Sequence, residues 1–333
     1  MDEMRSVTAD DLAIAREAFL GDRANVVAKN ATTSMGLRRA ARVPEGVAAN
    51  ALQFDVEVKQ GERTNQERSG RCWMFASLNT MRYRTIKKFN LKTFELSQAY
   101  PLFFDKLEKS NWFLENVLDT LEEPLDGRLM AHLLADPIGD GGQWDMFKSL
   151  VRKYGVVPKE AMPETACSRN THDMDACLTR YLRGAAKRLR ETADAEATTN
   201  DLLAMKKEMM SDVWHLLVTC LGEPPARFGV RLRDKDDKVV LSGEFTPQEF
   251  FGRAVDMELD DFVSLISAPT ADKPYYRSFT VSRLGNVWED GTVRHLNLPI
   301  DELKRVAIAQ LKDDLPVWFG CDVDQSYLRD EGI

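Results

Sequence analysis

A chain of 333 residues, 44% hydrophobic and 29% charged, can bury a sizeable core and has the make-up of an ordinary globular protein. Its formal net charge of −8 gives no overall attraction for nucleic acid. Five cysteines, Cys72, Cys167, Cys177, Cys220 and Cys321, stand at irregular spacing, which argues against a disulfide framework and for a reducing compartment.

No CxxC pair or Cys/His cluster has the spacing of a zinc site, so neither a metal nor another cofactor is expected. Asp2, Glu3, Asp10, Asp11, Glu17 and Asp22 interrupt the apolar positions at the start, so no signal peptide is expected there, and no apolar stretch is long enough to span a bilayer. A cytoplasmic location without a membrane partner is expected. Residues 8–20 read as a helix, with Thr8 as N-cap, Asp11 three positions on, Leu12, Ala15 and Phe19 as its apolar spacing, and Gly21 as its stop. Residues 30–50 are small, polar and irregular and suggest an extended arm. Phe54, Val56 and Val58 alternate with charged residues, the pattern of a half-buried strand.

The run from Cys72 to about Lys88, with Trp73, Phe75, Leu78, Met81 and Ile86, is the best candidate for a buried central helix. Ser97-Gln98-Ala99-Tyr100 opens another helix through Phe103, Leu107 and Val117. Ile138–Trp144 is a glycine-rich loop feeding a third, which ends at Tyr154-Gly155 with glycine in the C′ position. Residues 173–221 are long, charged and helix-prone, an inserted helical segment. Phe228–Leu232 and Lys238–Leu241 form a hairpin around Arg233–Asp237. Thr246-Pro247-Gln248-Glu249 is a capping box with proline at the first helical position. Asp301–Lys312 is an amphipathic helix, and Leu315–Cys321 reads as a buried strand.

The chemistry concentrates at Gln66-Glu67-Arg68-Ser69-Gly70-Arg71-Cys72-Trp73. A thiol at a helix N-terminus faces unpaired N–H groups and the positive end of the backbone dipole, a setting that favours thiolate. Gln66 and the Cys72 backbone N–H can form the donor pair that an acyl-transfer site needs. An isolated Cys-Trp pair is more often a small buried hydrophobe. The glutamine, the Ser-Gly turn and the following helix set Cys72 apart, whereas Cys167, Cys177, Cys220 and Cys321 lack such a context and read as structural. The Gln…Ser-Gly-x-Cys-Trp arrangement resembles papain-like cysteine peptidases, and Asn65-Gln66-x-x-Ser69-Gly70-Arg71-Cys72-Trp73 resembles their bleomycin hydrolase/aminopeptidase C branch. Gly141-Gly142 is similar to the Gly-Gly wall on which that family lays substrate backbone, where a Cβ would obstruct the approach; the plain alternative is a loop-to-helix turn. Further segments in family order, Gly155-Val156-Val157-Pro158 and Val317-Trp318-Phe319-Gly320-Cys321 among them, extend the resemblance over nearly all of residues 5–333.

The resemblance implies an α+β papain-like fold with a large helical insertion. Residues 1–62 would form an N-terminal arm and first strand, 63–164 the helical domain with the nucleophile, 165–270 the insertion with its hairpin, and 271–333 a partial β domain. It implies a cysteine-type aminopeptidase acting on peptides, a homo-oligomer (hexameric in the family), Cys72 as nucleophile, Gln66 as oxyanion donor, and Gly141 and Gly142 as substrate-binding residues. Such a mechanism needs a histidine as base and an asparagine to orient it. Of His132, His172, His215 and His295, only His215 with Asn286-Val287-Trp288 imitates the papain spacing, and it lies inside the helical insertion rather than at a strand start. In the family both residues follow the Trp-Phe-Gly-Cys-Asp strand, and this sequence stops at Ile333, shortly after it. The expectation is therefore a C-terminally truncated chain that lacks both residues, leaves part of the β domain missing with an unpaired apolar edge, and is inactive alone. The alternative is a non-catalytic oligomeric scaffold or a nucleic-acid-binding protein that keeps the fold. Arg180, Arg183, Lys187, Arg188 and Arg190 form a basic helix face, read first as a solvated or subunit-contact face.

Overall fold

A computed structural model describes residues 6–49 and 53–321. Two compact units divide the chain, Met1–Asp55 with Gly320–Ile333, and Val56–Phe319. In the first unit, Thr8 caps helix α1 (Ala9–Gly21) in a reciprocal capping box with Asp11. The region expected as an extended arm is helical instead. Asp22 accepts from the Ala24 N–H at 2.8 Å and starts α2 (Arg23–Met35), and α3 (Leu37–Ala40) and α4 (Pro44–Ala49) follow. Gly36, at φ +82°, makes the break between α2 and α3. The run is rich in alanine, a strong helix former, and a capping aspartate outweighs the scattered threonines and asparagines.

The second unit is built on α5 (Cys72–Phe89), whose Trp73, Met74, Leu78 and Met81 are buried. Against it lie α6 (Ala99–Asp119) and α8 (Trp144–Tyr154), with α7 (Arg128–Ala135) between them in the chain. Trp73 meets Phe147 edge to face at 6.2 Å, and Phe104 stacks on Tyr154 at 3.8 Å. The short α9 (Ala166–Arg169) leads into α10 (His172–Asp194) and α11 (Thr199–Leu221), the pair expected as an insertion. Leu178, Leu182 and Leu189 of α10 are fully buried, and Phe103 of α6 packs on Trp214 of α11 at 4.9 Å. The basic face of α10 is partly consumed at home. Arg183 donates to the Leu134 and Ala135 carbonyls at the end of α7, and Arg190 donates to those of Thr120 and Glu123.

The expected hairpin is β1 (Phe228–Arg233) antiparallel to β2 (Val239–Phe245), in register from Phe228↔Phe245 to Leu232↔Leu241 with an irregularity at Arg233. Thr246 and Glu249 form the capping box of α12 (Pro247–Phe250), which continues as one π-helical turn. A small second sheet has the order β3 (Leu265–Ile266), β5 (His295–Asn297), β4 (Arg277–Phe279), with β3 parallel and β4 antiparallel to the centre. Helix α13 (Ile300–Lys312) follows. Two expected strands are absent among the described residues. Phe54 and Val56 are exposed and form no ladder with any described residue, and residues 315–321 run as irregular chain, with Phe319 exposed. An apolar or alternating run becomes a strand only where a neighbour completes the ladder, and neither run has one among the described residues. The part of the second expectation at 322–323 lies outside the described residues.

Candidate active site

The loop before α5 is wound by its own polar side chains. Asn65 Oδ1 accepts from the Glu67 N–H at 2.8 Å, Glu67 sits in the left-handed region at φ +52°, and Ser69 Oγ donates to the Gln66 carbonyl at 2.7 Å. The Gln66 amide donates to the Ser69 carbonyl at 2.6 Å. One of its two N–H groups is thereby used to fix its direction, and the second stays available. Arg71 is 1% exposed; both of its terminal nitrogens donate to Glu164 at 2.9 Å, and Nε donates to Ser69 Oγ at 2.8 Å. Helix α5 then begins at Cys72. No side chain caps it, and the Cys72 thiol is exposed. The uncapped first turn leaves backbone N–H groups free beside the sulfur.

The second wall is the 138–142 loop. Trp73 Nε1 donates to the Asp140 carbonyl at 2.7 Å, and the Trp73 ring lies so close that a Cβ on Gly142 would sit 2.6 Å from it. Gly142 is thus required by packing inside the chain. Around Gly141 a Cβ would meet nothing within 4 Å. The Trp318 indole donates to the Trp73 carbonyl at 3.1 Å, so the segment read as a strand reaches α5 as irregular chain.

Below this loop lies a charge cluster that the sequence reading missed. Lys106, fully buried, donates to the Ile138 carbonyl at 2.8 Å and pairs with Asp140 at 2.6 Å and Asp175 at 2.8 Å. Lys109 donates to the Gly139 and Gly141 carbonyls at 2.7 and 2.6 Å, pairs with Asp105 at 2.8 Å, and lies over the Trp73 ring. Burial pulls the Lys106 ammonium down, but Asp175, Asp140 and Asp105 together hold it above its ordinary value. For Lys109 burial wins and the shift is downward. The sequence carried no local signal for it: Asp105, Lys106 and Lys109 are three of six charged residues on α6, beside Glu108, Glu115 and Asp119.

Asp175 carries the cluster's pH dependence. Burial pushes it up to about 7, against the pull of Lys106 and with the help of Asp140. The folded chain therefore holds a proton that the unfolded chain has lost between pH ~4 and ~7, and stability falls as pH rises through that window. Asp175→Asn is expected to remove this slope, so that its urea midpoint gains on the parent's between pH 5 and pH 8. Parallel curves would show that Asp175 ionises normally.

No histidine is hydrogen-bonded to Cys72 among the described residues. The His132, His172 and His215 side chains are exposed on α7, α10 and α11. His295 is buried in β5 with its Nδ1 on Ser264 Oγ at 2.7 Å, and burial lowers its pKa. Asn286 bonds to Asp105 and to the Met146 carbonyl, not to an imidazole. No group of His, Cys, Asp and Glu among the described residues could hold a metal ion. No helix there is long and apolar enough to cross a membrane.

A thiol at the head of a buried helix, a glutamine-bearing turn before it and a Gly-Gly loop beside it define the papain-like class of cysteine peptidase. The Peptidase C1-like family matches residues 6–333, and the chain belongs to that family. It is 44% identical over 305 residues to the aminopeptidase C of Streptococcus thermophilus, covering 92% of this chain and 68% of that protein. It is 39% identical over 274 residues to the bleomycin hydrolase of Gallus gallus, covering 81% of this chain and 60% of that protein. Among solved structures, pepW from Lactobacillus rhamnosis HN001 superposes with a TM-score of 0.94 at 44% identity, covering 97% of this chain and 72% of that one.

Proposed function

We propose that the chain carries the nucleophile of a cysteine-type aminopeptidase that removes N-terminal residues from peptides through a thioester. The observation that carries this reading is the exposed Cys72 thiol at the uncapped start of buried helix α5, with Gln66 oriented in the turn before it. The relatives named aminopeptidase C and bleomycin hydrolase support the substrate class. The Cys72 sulfur attacks the scissile carbonyl carbon. The displaced electron pair moves onto oxygen, facing the Cys72 backbone N–H and the second N–H of Gln66. Collapse breaks the C–N bond, the amine leaves with a proton, and water then hydrolyses the thioester. Gly141 offers the open backbone for the peptide. The proton transfers need an imidazole, and none bonds to Cys72 among the described residues. Residues 1–333 taken alone are therefore expected to react at Cys72 without turning substrate over. A cytoplasmic homo-oligomer, hexameric as in the resembled family, completes the reading.

The test compares residues 1–333 with a version completed by the portion of the Streptococcus thermophilus protein that the chain does not span. Limiting iodoacetamide should label Cys72 ahead of Cys177 and Cys321, which are exposed as well. An aminoacyl fluorogenic substrate should be hydrolysed by the completed version only, and Gln66→Ala there should lower kcat by roughly 10²–10³. Comparable turnover by residues 1–333, lost in His215→Ala, would refute the assignment of the base, and unchanged kcat in Gln66→Ala would remove Gln66 from the mechanism.

A further inference from the structure

We propose that Asp140 is a positioning residue for Cys72, clamping the nucleophile loop to the Gly141-Gly142 loop across the site. This rests on the assignment of Cys72 as nucleophile. One residue touches four parts of the second unit. Its Oδ2 accepts from the Gly70 backbone N–H at 2.7 Å, two residues before the thiol, and from Thr171 Oγ1 at 2.6 Å, at the head of α10. Its Oδ1 accepts from Lys106 on α6 at 2.6 Å, and its carbonyl accepts from Trp73, the residue after the thiol, at 2.7 Å. Cys72 is thus bracketed by two bonds to the same residue, one on each side in sequence.

The approach is close enough to dictate sequence at Gly70. A Cβ there would stand 2.5 Å from the Asp140 Cβ, and Gly70 is not at positive φ, so contact rather than backbone conformation excludes a side chain. Two loops 70 positions apart in the chain are held together by a charge-assisted bond to a peptide N–H. Burial alone would raise the Asp140 carboxyl; Lys106, Thr171 and the Gly70 N–H hold it well below the ordinary carboxylate range, so the acceptor stays charged at neutral pH. Of the two loops, one carries the thiol and Gln66 and the other Gly141. Their separation sets where a carbonyl lies relative to the sulfur and the oxyanion donors, and small misplacements there are costly.

The experiment measures the rate of Cys72 alkylation by neutral iodoacetamide, with Cys177 of the same molecule as the internal reference, in the parent, Asp140→Asn and Gly70→Ala, well below each Tm. Positioning expects the Cys72:Cys177 rate ratio to fall by roughly tenfold in Asp140→Asn, and in Gly70→Ala, which forces the loops apart while leaving the carboxylate in place. Electrostatics alone expects the opposite sign for Asp140→Asn, because removing a nearby negative charge favours the thiolate. A purely structural role lowers Tm and leaves the ratio unchanged. An unchanged or increased ratio in Asp140→Asn overturns the clamp. If that variant does not fold, the same outcomes in Gly70→Ala decide. A parent in which Cys72 reacts no faster than Cys177 overturns the nucleophile assignment and the clamp with it, whereas a preferential parent with an unaffected variant overturns the clamp alone.

Discussion

Glu164→Ala is expected to destabilise the second unit by roughly 3–5 kcal/mol, the usual consequence of stranding one member of a buried ion pair. Arg71 is 1% exposed and directs both terminal nitrogens at Glu164, whose other donor is Ser168 Oγ at 2.6 Å. Without the carboxylate, the guanidinium keeps only its bond to Ser69 Oγ and the face of the Phe75 ring. Glu164→Gln should cost less, because the amide oxygen still accepts one guanidinium bond and the volume is kept. Urea midpoints at neutral pH measure both; a loss below ~1 kcal/mol in Glu164→Ala would place the pair in the class of exposed bridges, which contribute little.

That pair also shows which parts of the site could be read in the sequence. Cys72 at the head of a helix, the Ser-Gly turn and the glycine loop were legible because each is a local signal: a residue type at a fixed offset from a periodic run. The boundaries of α5, α8 and the capped α12 followed from the same local physics. What tightens the site is non-local. Glu164 reaches Arg71 across 93 positions, and Asp140 reaches Gly70 across 70. A buried lysine on a helix has the same one-letter signature as a solvated one, so Lys106 and Lys109 gave no sign of holding a loop.

The misread segments have a related cause. The alternation at 54–58 and the apolar run at 315–321 are real patterns, but strand formation depends on a partner that no window of sequence contains. In α2 the opposite error arose, because a scatter of polar residues hid an aspartate cap and a glycine break. Gly142 is a subtler case. The sequence suggested that a bare backbone there serves a substrate; the structure gives it an internal reason, the Trp73 ring, and leaves the open position to Gly141.

Lys106→Met is expected to have an effect as large as Glu164→Ala, and a more diagnostic one. Methionine matches the length and flexibility of the lysine stem, so little cavity is created and the change isolates the charge. The ammonium is fully buried and serves the Ile138 carbonyl, Asp140 and Asp175 at once. Removing it leaves two carboxylates facing each other in a desolvated site, for a loss of roughly 3–5 kcal/mol at pH 8. The sign of the pH dependence follows from those carboxylates. Each would have its folded-state pKa raised, so the folded variant binds more protons than the unfolded chain, and its stability falls as pH rises above the ordinary carboxylate range. The deficit relative to the parent should therefore shrink towards pH 5. Adding Asp140→Asn and Asp175→Asn to Lys106→Met should restore much of the stability, because a neutral polar set no longer carries uncompensated charge, while Cys72 labelling stays slow because the charged acceptor for Gly70 is gone. Urea midpoints from pH 5 to pH 8 and the Cys72:Cys177 labelling ratio separate the two effects. A deficit independent of pH, or one the triple variant fails to relieve, would mean that Lys106 acts through packing of its stem and not through its charge.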